Sequence, residues 1–218
     1  LSNTTCNTEI PWVNGSNFNN ISARIVDDEF WILPPCLGGI SNLNRLIDAD
    51  LNNFSQIDIT GIGCNGTIGV KDDDVAEIYP AGAWAGFNIG TGGLLPGTTI
   101  ASSVKITTWL NGTLQETFDA GAALAGLSLG LNIGNRYTAG FTTTKDFNEL
   151  RITYNTLVGI FFSAKVYYPV LMKFCEGPAL DCNTPTSLVQ SDYPVLISKS
   201  GVTGLTLGSV NDVENLID

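Results

Sequence analysis

The sequence predicts an all-β chain folded as an antiparallel β-sandwich, and three observations carry that expectation. Apolar residues alternate with polar ones in short runs, as in Ile57 and Ile59, Ile68 and Val70, and Leu150, Ile152 and Tyr154, the period of two that turns one strand face toward a core. Glycine and asparagine separate those runs, and Asn111-Gly112 sits inside SVKITTWLNGTLQETF, where a type I′ hairpin asks for two residues tolerant of positive φ. No apolar stripe of helical spacing and useful length competes; Ala120 to Leu131 reads either as a short helical turn or as a buried strand.

Taken in order, residues 1–36 hold Asn, Ser, Pro and Gly clusters around a possible strand at Ile21 to Val26 and an aromatic patch, Phe30-Trp31-Ile32, before Pro34-Pro35. This is the composition of an ordered connector or accessory strand. Ser41 to Ser55, SNLNRLIDADLNNFS, sets the apolar pair Leu46 and Ile47 against Asp48, Asp50, Asn52 and Asn53, a turn leading into a strand. Strands then follow at Ile57 and Ile59, at Ile68 and Val70, and at Ala83 to Ile89 with Trp84 and Phe87. The hairpin places Trp109 across from Leu114. Leu150, Ile152 and Tyr154 share one face of Phe147 to Tyr154, and Ala164, Val166, Tyr168 and Val170 one face of Ser163 to Val170.

Two echoes suggest a tandem repeat. Leu46-Ile47-Asp48 returns as Leu216-Ile217-Asp218, 170 residues on, and Cys6-Asn7-Thr8 as Cys182-Asn183-Thr184, 176 residues on. The expected organisation is a connector from a preceding repeat at 1–36, a sandwich at 37–180, and a connector with the start of the next repeat at 181–218. In that register Cys175 and Cys182 close a short loop at the boundary, Cys6 pairs upstream of residue 1, and Cys36 is left with Cys64. Spacing alone does not fix connectivity, and buried reduced thiols remain the alternative.

Ten Lys and Arg against twenty-one Asp and Glu give a net charge of −11, which disfavours nucleic acid and anionic membranes. No run is apolar and long enough to span a bilayer, so direct membrane insertion is not expected and any export signal is expected outside these residues. With no histidine in the chain, Ser-His-Asp, Cys-His and His-ligated metal sites are excluded. A carboxylate pair for glycan cleavage remains chemically open, yet the acids lie in turn-like clusters without a motif, and no catalytic residue is assigned. Asp48, Asp50 and Asn52 put oxygens at alternate positions, as a structural calcium requires, and Asp72-Asp73-Asp74 could add more; solvated turns are the alternative. Trp31, Trp84, Trp109 and Tyr137 are candidates for a sugar-stacking platform or for core packing. Sequons at Asn3, Asn14, Asn20, Asn53, Asn65 and Asn111 would permit glycosylation in a eukaryotic secretory pathway.

The order LIDADLNNFSQI, IGVKDDD, YPAGAWAGFNIG, ITTWLNGTLQE, GFTTTKDFNELRITY and AKVYYPVL, over Ser41 to Leu171, resembles the repeat modules of very large secreted surface proteins of Bacteroidota, including gliding-motility adhesins. The loop around Asp48 and the closing strands are also similar to discoidin-like and other galactose-binding-like jelly rolls, in which a comparable loop often holds calcium; Ala49 stands where those loops usually have Gly. These resemblances imply a jelly-roll sandwich on the extracellular cell surface. They imply a non-enzymatic adhesin repeat, a spacer between neighbouring repeats of the same chain with weak binding to polysaccharide or a solid substratum. A carbohydrate-binding module with a defined sugar site is the alternative, and a glycan-cleaving enzyme a third.

Overall fold

The alternating runs are strands. The computed structural model describes residues 6, 8–14, 23–27, 36–72, 77–91, 104–119, 136–156, 162–174, 182 and 184–187, and among them eleven strands form two antiparallel sheets. The front sheet has the order β3 (Leu37–Ser41), β4 (Ser55–Thr60), β11 (Phe162–Met172), β6 (Trp84–Thr91), β9 (Arg136–Thr142), with β1 (Glu9–Pro11) added on β11. The back sheet has the order β2 (Ala23–Asp27), β5 (Asn65–Asp72), β10 (Glu149–Asn155), β7 (Val104–Leu110), β8 (Thr113–Asp119).

This order follows from one folding-over of the chain. At its tip β7 and β8 form the hairpin, with Asn111 at φ 50° and Gly112 at φ 79° as a type I′ turn requires. Outside the tip β6 pairs with β9, then β5 with β10, then β4 with β11. The paired arms alternate between the sheets, which is the jelly-roll winding, and β6–β11 and β7–β10 pairs complete each sheet.

The core lies between the sheets and takes the alternate side chains of each strand. Ile57, Ile59, Ile68, Val70, Phe87, Ile89, Ile106, Leu150, Ile152 and Tyr154 are fully buried in it, and each large apolar side chain so placed stabilises by about 1.5–3 kcal/mol. Leu46, on the 3-10 turn Leu43–Leu46, is equally buried, so the turn before Asp48 is anchored from below.

One expected face is broken. Ala164 and Val166 point into the core, but a bulge between Val166 and Tyr168 shifts the β11 register against β6. After it Tyr168 stands beside Asn88 and Val170 beside Gly86, positions that alternate with buried Phe87, and Leu171 takes the inward place. The extra residue, Tyr167, turns Tyr168 outward.

The 1–36 stretch supplies an accessory strand to each sheet. β1 pairs with β11, β2 overlaps the Ile21 to Val26 run, reaching Asp27, and pairs with β5, and Trp12 is fully buried with its ring edge-on to Tyr79 at 5.0 Å. Asn14 ties the two strands together: its amide donates to the Ala23 carbonyl (2.7 Å) and its Oδ1 accepts from the Ala23 N–H (2.6 Å). Ala120 to Leu131 and most of 181–218 lie outside the described residues.

Cys36 and Cys64 form a disulfide across the ends of the β3–β4 pair, Cα to Cα 5.6 Å. The boundary staple does not form: Cys182 is a free, exposed thiol, while Cys6 is disulfide-bonded. Cys175 lies outside the described residues. The β1–β11 register explains the difference, because Glu9 opposite Met172 brings the chain ahead of β1 alongside the chain leaving β11.

Candidate functional site

The outward side of the front sheet collects the side chains that the core does not use. On β6, Ala85, Phe87 and Ile89 are buried inward, so Trp84, Gly86 and Asn88 face out. Pairing sets Trp84 between Met172 and Thr142, Gly86 between Val170 and Gly140, and Asn88 between Tyr168 and Thr138.

Trp84 lies along this surface over the two glycines. A Cβ on Gly86 would stand 2.7 Å from Trp84 Cη2, and one on Gly140 2.6 Å from Cη2 and Cζ2. Only glycine leaves room for the ring, which is half-buried and keeps part of its surface toward solvent.

A polar row runs beside the indole. Asn88 Nδ2 donates to Thr138 Oγ1 (3.3 Å), and Arg136 Nε donates to Asn88 Oδ1 (3.0 Å). Arg136 is fixed further by donating from Nη2 to the Leu51 carbonyl (2.9 Å), with its guanidinium 3.7 Å from the Tyr167 ring centroid and 5.6 Å from that of Tyr168. Phe54 meets Tyr167 edge-on at 5.6 Å and carries Lys165 Nζ at 4.4 Å.

Two groups on this surface have displaced pKa values. Glu9 is exposed as a residue, yet crowding around its carboxyl raises its pKa, against the lowering effect of a hydrogen bond with Thr138. Burial raises that of Tyr168; Arg136 lowers it and Glu9 raises it further.

At the Trp84 end of the sheet a cleft of about 420 Å³ is lined by Glu77, Ile78, Pro80, Ala83, Lys173 and Phe174. Ala83 precedes Trp84, and Lys173 follows Met172, the strand partner of Trp84. This volume falls in the range of small-ligand pockets.

Sequence reasoning missed Arg136, Asn88, Thr138 and Tyr168. The signal within reach was Tyr167-Tyr168 together with the glycines that alternate along β6, but the bulge that orients the tyrosines has no mark of its own. Trp84 and Trp109 do not make one platform, since Trp109 lies on the outward side of the back sheet beneath the Arg151 guanidinium (4.0 Å). Trp31 and the Tyr137 side chain lie outside the described residues.

Asp48, Asp50 and Asn52 share a loop that closes on itself. Asp48 Oδ1 accepts from the Asp50 N–H (3.0 Å), both Asp48 oxygens accept from Asn53 Nδ2 (3.2 and 2.9 Å), and Asp50 Oδ1 accepts from the Asn52 N–H (3.0 Å). These are side-chain-closed turns. Asn53 Oδ1 is buried without a hydrogen-bond partner, and among the described residues no group of three or more Cys, Asp or Glu is placed to hold a metal. Asp72 does not join this loop: it is buried and accepts from the Tyr79 hydroxyl, while Asp73 and Asp74 lie outside the described residues.

No protein-family model matches the chain, and no curated protein matches it. Among solved structures it is similar to CBM32-3 from a family 31 glycoside hydrolase of Clostridium perfringens, at 15% identity over 70% of this chain and 91% of that one, with a TM-score of 0.42. It is similar to the lectin domain of Lectinolysin complexed with Lewis B antigen at 13% identity, covering 65% of this chain and 94% of that one, TM-score 0.39. The family 32 carbohydrate-binding module of C. perfringens NanJ, in complex with galactose, matches at 15% identity over 62% of this chain and 92% of that one, TM-score 0.33. At these values the function has to be argued from this chain's own surface.

Proposed function

We propose that this chain is a carbohydrate-binding module that holds a neutral sugar against Trp84 on the outward side of the front sheet. One observation carries the reading: a partly exposed indole laid over Gly86 and Gly140, with Asn88, Thr138 and Arg136 hydrogen-bonded into a row beside it. A sugar ring has an apolar C–H face and a rim of hydroxyls. Tryptophan suits the first, and a fixed amide, hydroxyl and guanidinium suit the second.

The module works outside the cell, as part of the surface protein that the sequence resemblance implies. The Cys36–Cys64 disulfide suits that setting, and no helix among the described residues is long and apolar enough to cross a membrane. Attachment to polysaccharide then runs through a sugar site, and the Cys175–Cys182 staple on which the pure spacer reading relied is absent, because Cys182 is a free thiol. The same proposal includes a structural calcium ion held by Asp48, Asp50 and Asn52, for which Asn53 Oδ1 is a further oxygen without a present use. No catalytic step is proposed.

The test is a glycan array with the intact chain, followed by titration of the best sugar into wild type and Trp84→Ala. Binding at least tenfold weaker in the variant, measured well below its own melting transition, is the expected result. A blank array, or a variant that binds as wild type does, sinks the proposal.

A further inference from the structure

We propose that the outward side of the back sheet is a second, separate binding surface, and that its ligand is an acidic polysaccharide bearing carboxylates. The register puts Arg24 opposite Lys71, Lys71 opposite Glu149, Arg151 opposite Thr107, and Thr153 opposite Lys105. All alternate with core residues such as Val70, Leu150, Ile152 and Ile106, so all stand on the solvent side. Lys71, Arg151 and Lys105 step one strand across and two residues along each time. Strand spacing near 4.8 Å and a rise near 3.4 Å per residue make each step about 8 Å, a diagonal of cations across three strands.

In a chain of net charge −11, four of the ten Lys and Arg are gathered on this one side. Among the described residues the acids that share it are Glu149, buried and ion-paired with Arg151, and Asp119, opposite Lys105 at the edge. Lys71 is half-exposed and Lys105 exposed, and among the described residues neither ammonium group has an ion pair or hydrogen bond. Between the cations stand hydroxyls. Thr67 and Thr153 bond each other at 2.9 Å, and Thr107 accepts the Trp109 indole N–H at 2.9 Å.

The composition of the face selects the occupant. A protein partner needs a cluster of apolar anchors; among the described residues the one aromatic on this side, Trp109, is covered by Arg151, and Leu114 opposite it at the β8 edge is a single exposed apolar side chain. A nucleic acid carries a charge about every 1.7 Å and would meet the chain-wide excess of carboxylates. An acidic polysaccharide spreads its charge at one group per sugar or fewer, and screening over about 8 Å at physiological salt confines its contacts to the diagonal. Its hydroxyls find the threonines. This surface is on the opposite sheet from Trp84 and stands or falls independently of it.

Affinity electrophoresis of the intact chain through carboxymethyl-dextran and through plain dextran, which share a backbone, tests the inference. Retardation by carboxymethyl-dextran alone is expected, lost at high salt and at least tenfold weaker in Lys71→Gln/Lys105→Gln. Arg45→Gln/Lys145→Gln, the same charge removed from other exposed positions, should bind as wild type. Lys105→Glu, a single exposed change, serves if the double variant melts early, and should weaken binding in the same direction. No retardation, equal retardation in plain dextran, undiminished binding by both lysine variants, or a single-stranded DNA shift as tight as that of the polysaccharide would each overturn it.

Discussion

Trp84 and Gly140 share one space: a methyl group at position 140 would stand 2.6 Å from two atoms of the indole and 2.4 Å from the Ala85 carbonyl oxygen. Gly140→Ala must therefore move both the ring and a neighbouring strand. Overpacking of this kind costs about 1–3 kcal/mol, and thermal melting should show that loss alongside weaker sugar binding. A variant that melts lower but binds the sugar as wild type does would separate ring position from recognition.

Cys6 is disulfide-bonded, Cys36 and Cys64 bond each other and Cys182 is free, which leaves Cys175 as the expected partner of Cys6, the position a continued β1–β11 register would reach. Non-reducing peptide mapping should find Cys36 joined to Cys64 and Cys6 joined to Cys175, with Cys182 alkylated in the native protein. Removing the bridge over the 28-residue separation with Cys36→Ser/Cys64→Ser should lower stability by about 3.5 kcal/mol. Recovery of a Cys175–Cys182 peptide would restore the boundary staple.

Calcium should raise the melting temperature of the intact chain, and chelation should reverse the rise. Asp48→Ala removes both the ligand and the hydrogen bonds to Asp50 and Asn53, so its basal stability falls in any case. The informative readout is the response to calcium, which should vanish in that variant. An unchanged melting temperature on chelation of the wild type would leave the loop a self-closed turn.

The raised pKa of Glu9 fixes the sign of a pH effect. Folding favours its protonated form, so its contribution to stability is fully present below the unfolded value, about pH 4, and is lost as pH rises through the folded value. Glu9→Gln should be at least as stable as wild type at pH 7, with the difference narrowing toward pH 4. A gap that widens on acidification would show that the carboxylate is stabilised by its surroundings.

The sandwich was legible because burial on one face writes itself into every second residue. Leu150, Ile152 and Tyr154 needed nothing beyond period, and Asn111-Gly112 named its own turn. The candidate site around Trp84 was not legible, because its members come from β6, β9 and β11 and meet only through strand pairing. Tyr168 shows why: a single bulge reverses its side, and local pattern carries no trace of it. Cys36 with Cys64 was legible, but the pairing at the boundary was not, for a related reason. An echo between Cys6 and Cys182 says that two segments are alike, whereas the bond is decided by which segments lie side by side, and β1 beside β11 is a contact across most of the chain.

The antiparallel pairing of β1 with β11 also determines how the module would bear a load. Glu9 and Met172 are opposite each other at the end of the pair where the chain enters β1 and leaves β11. Pulling there opens the rungs in sequence, as a zipper opens, and never loads them together in shear, so the hydrogen bonds alone would yield at low force. With Cys6 joined to Cys175, as predicted above, tension would pass through a covalent link ahead of the first rung. The tethered sandwich would then stay folded while its tether is under strain, and the outward side of the front sheet would keep its shape under load.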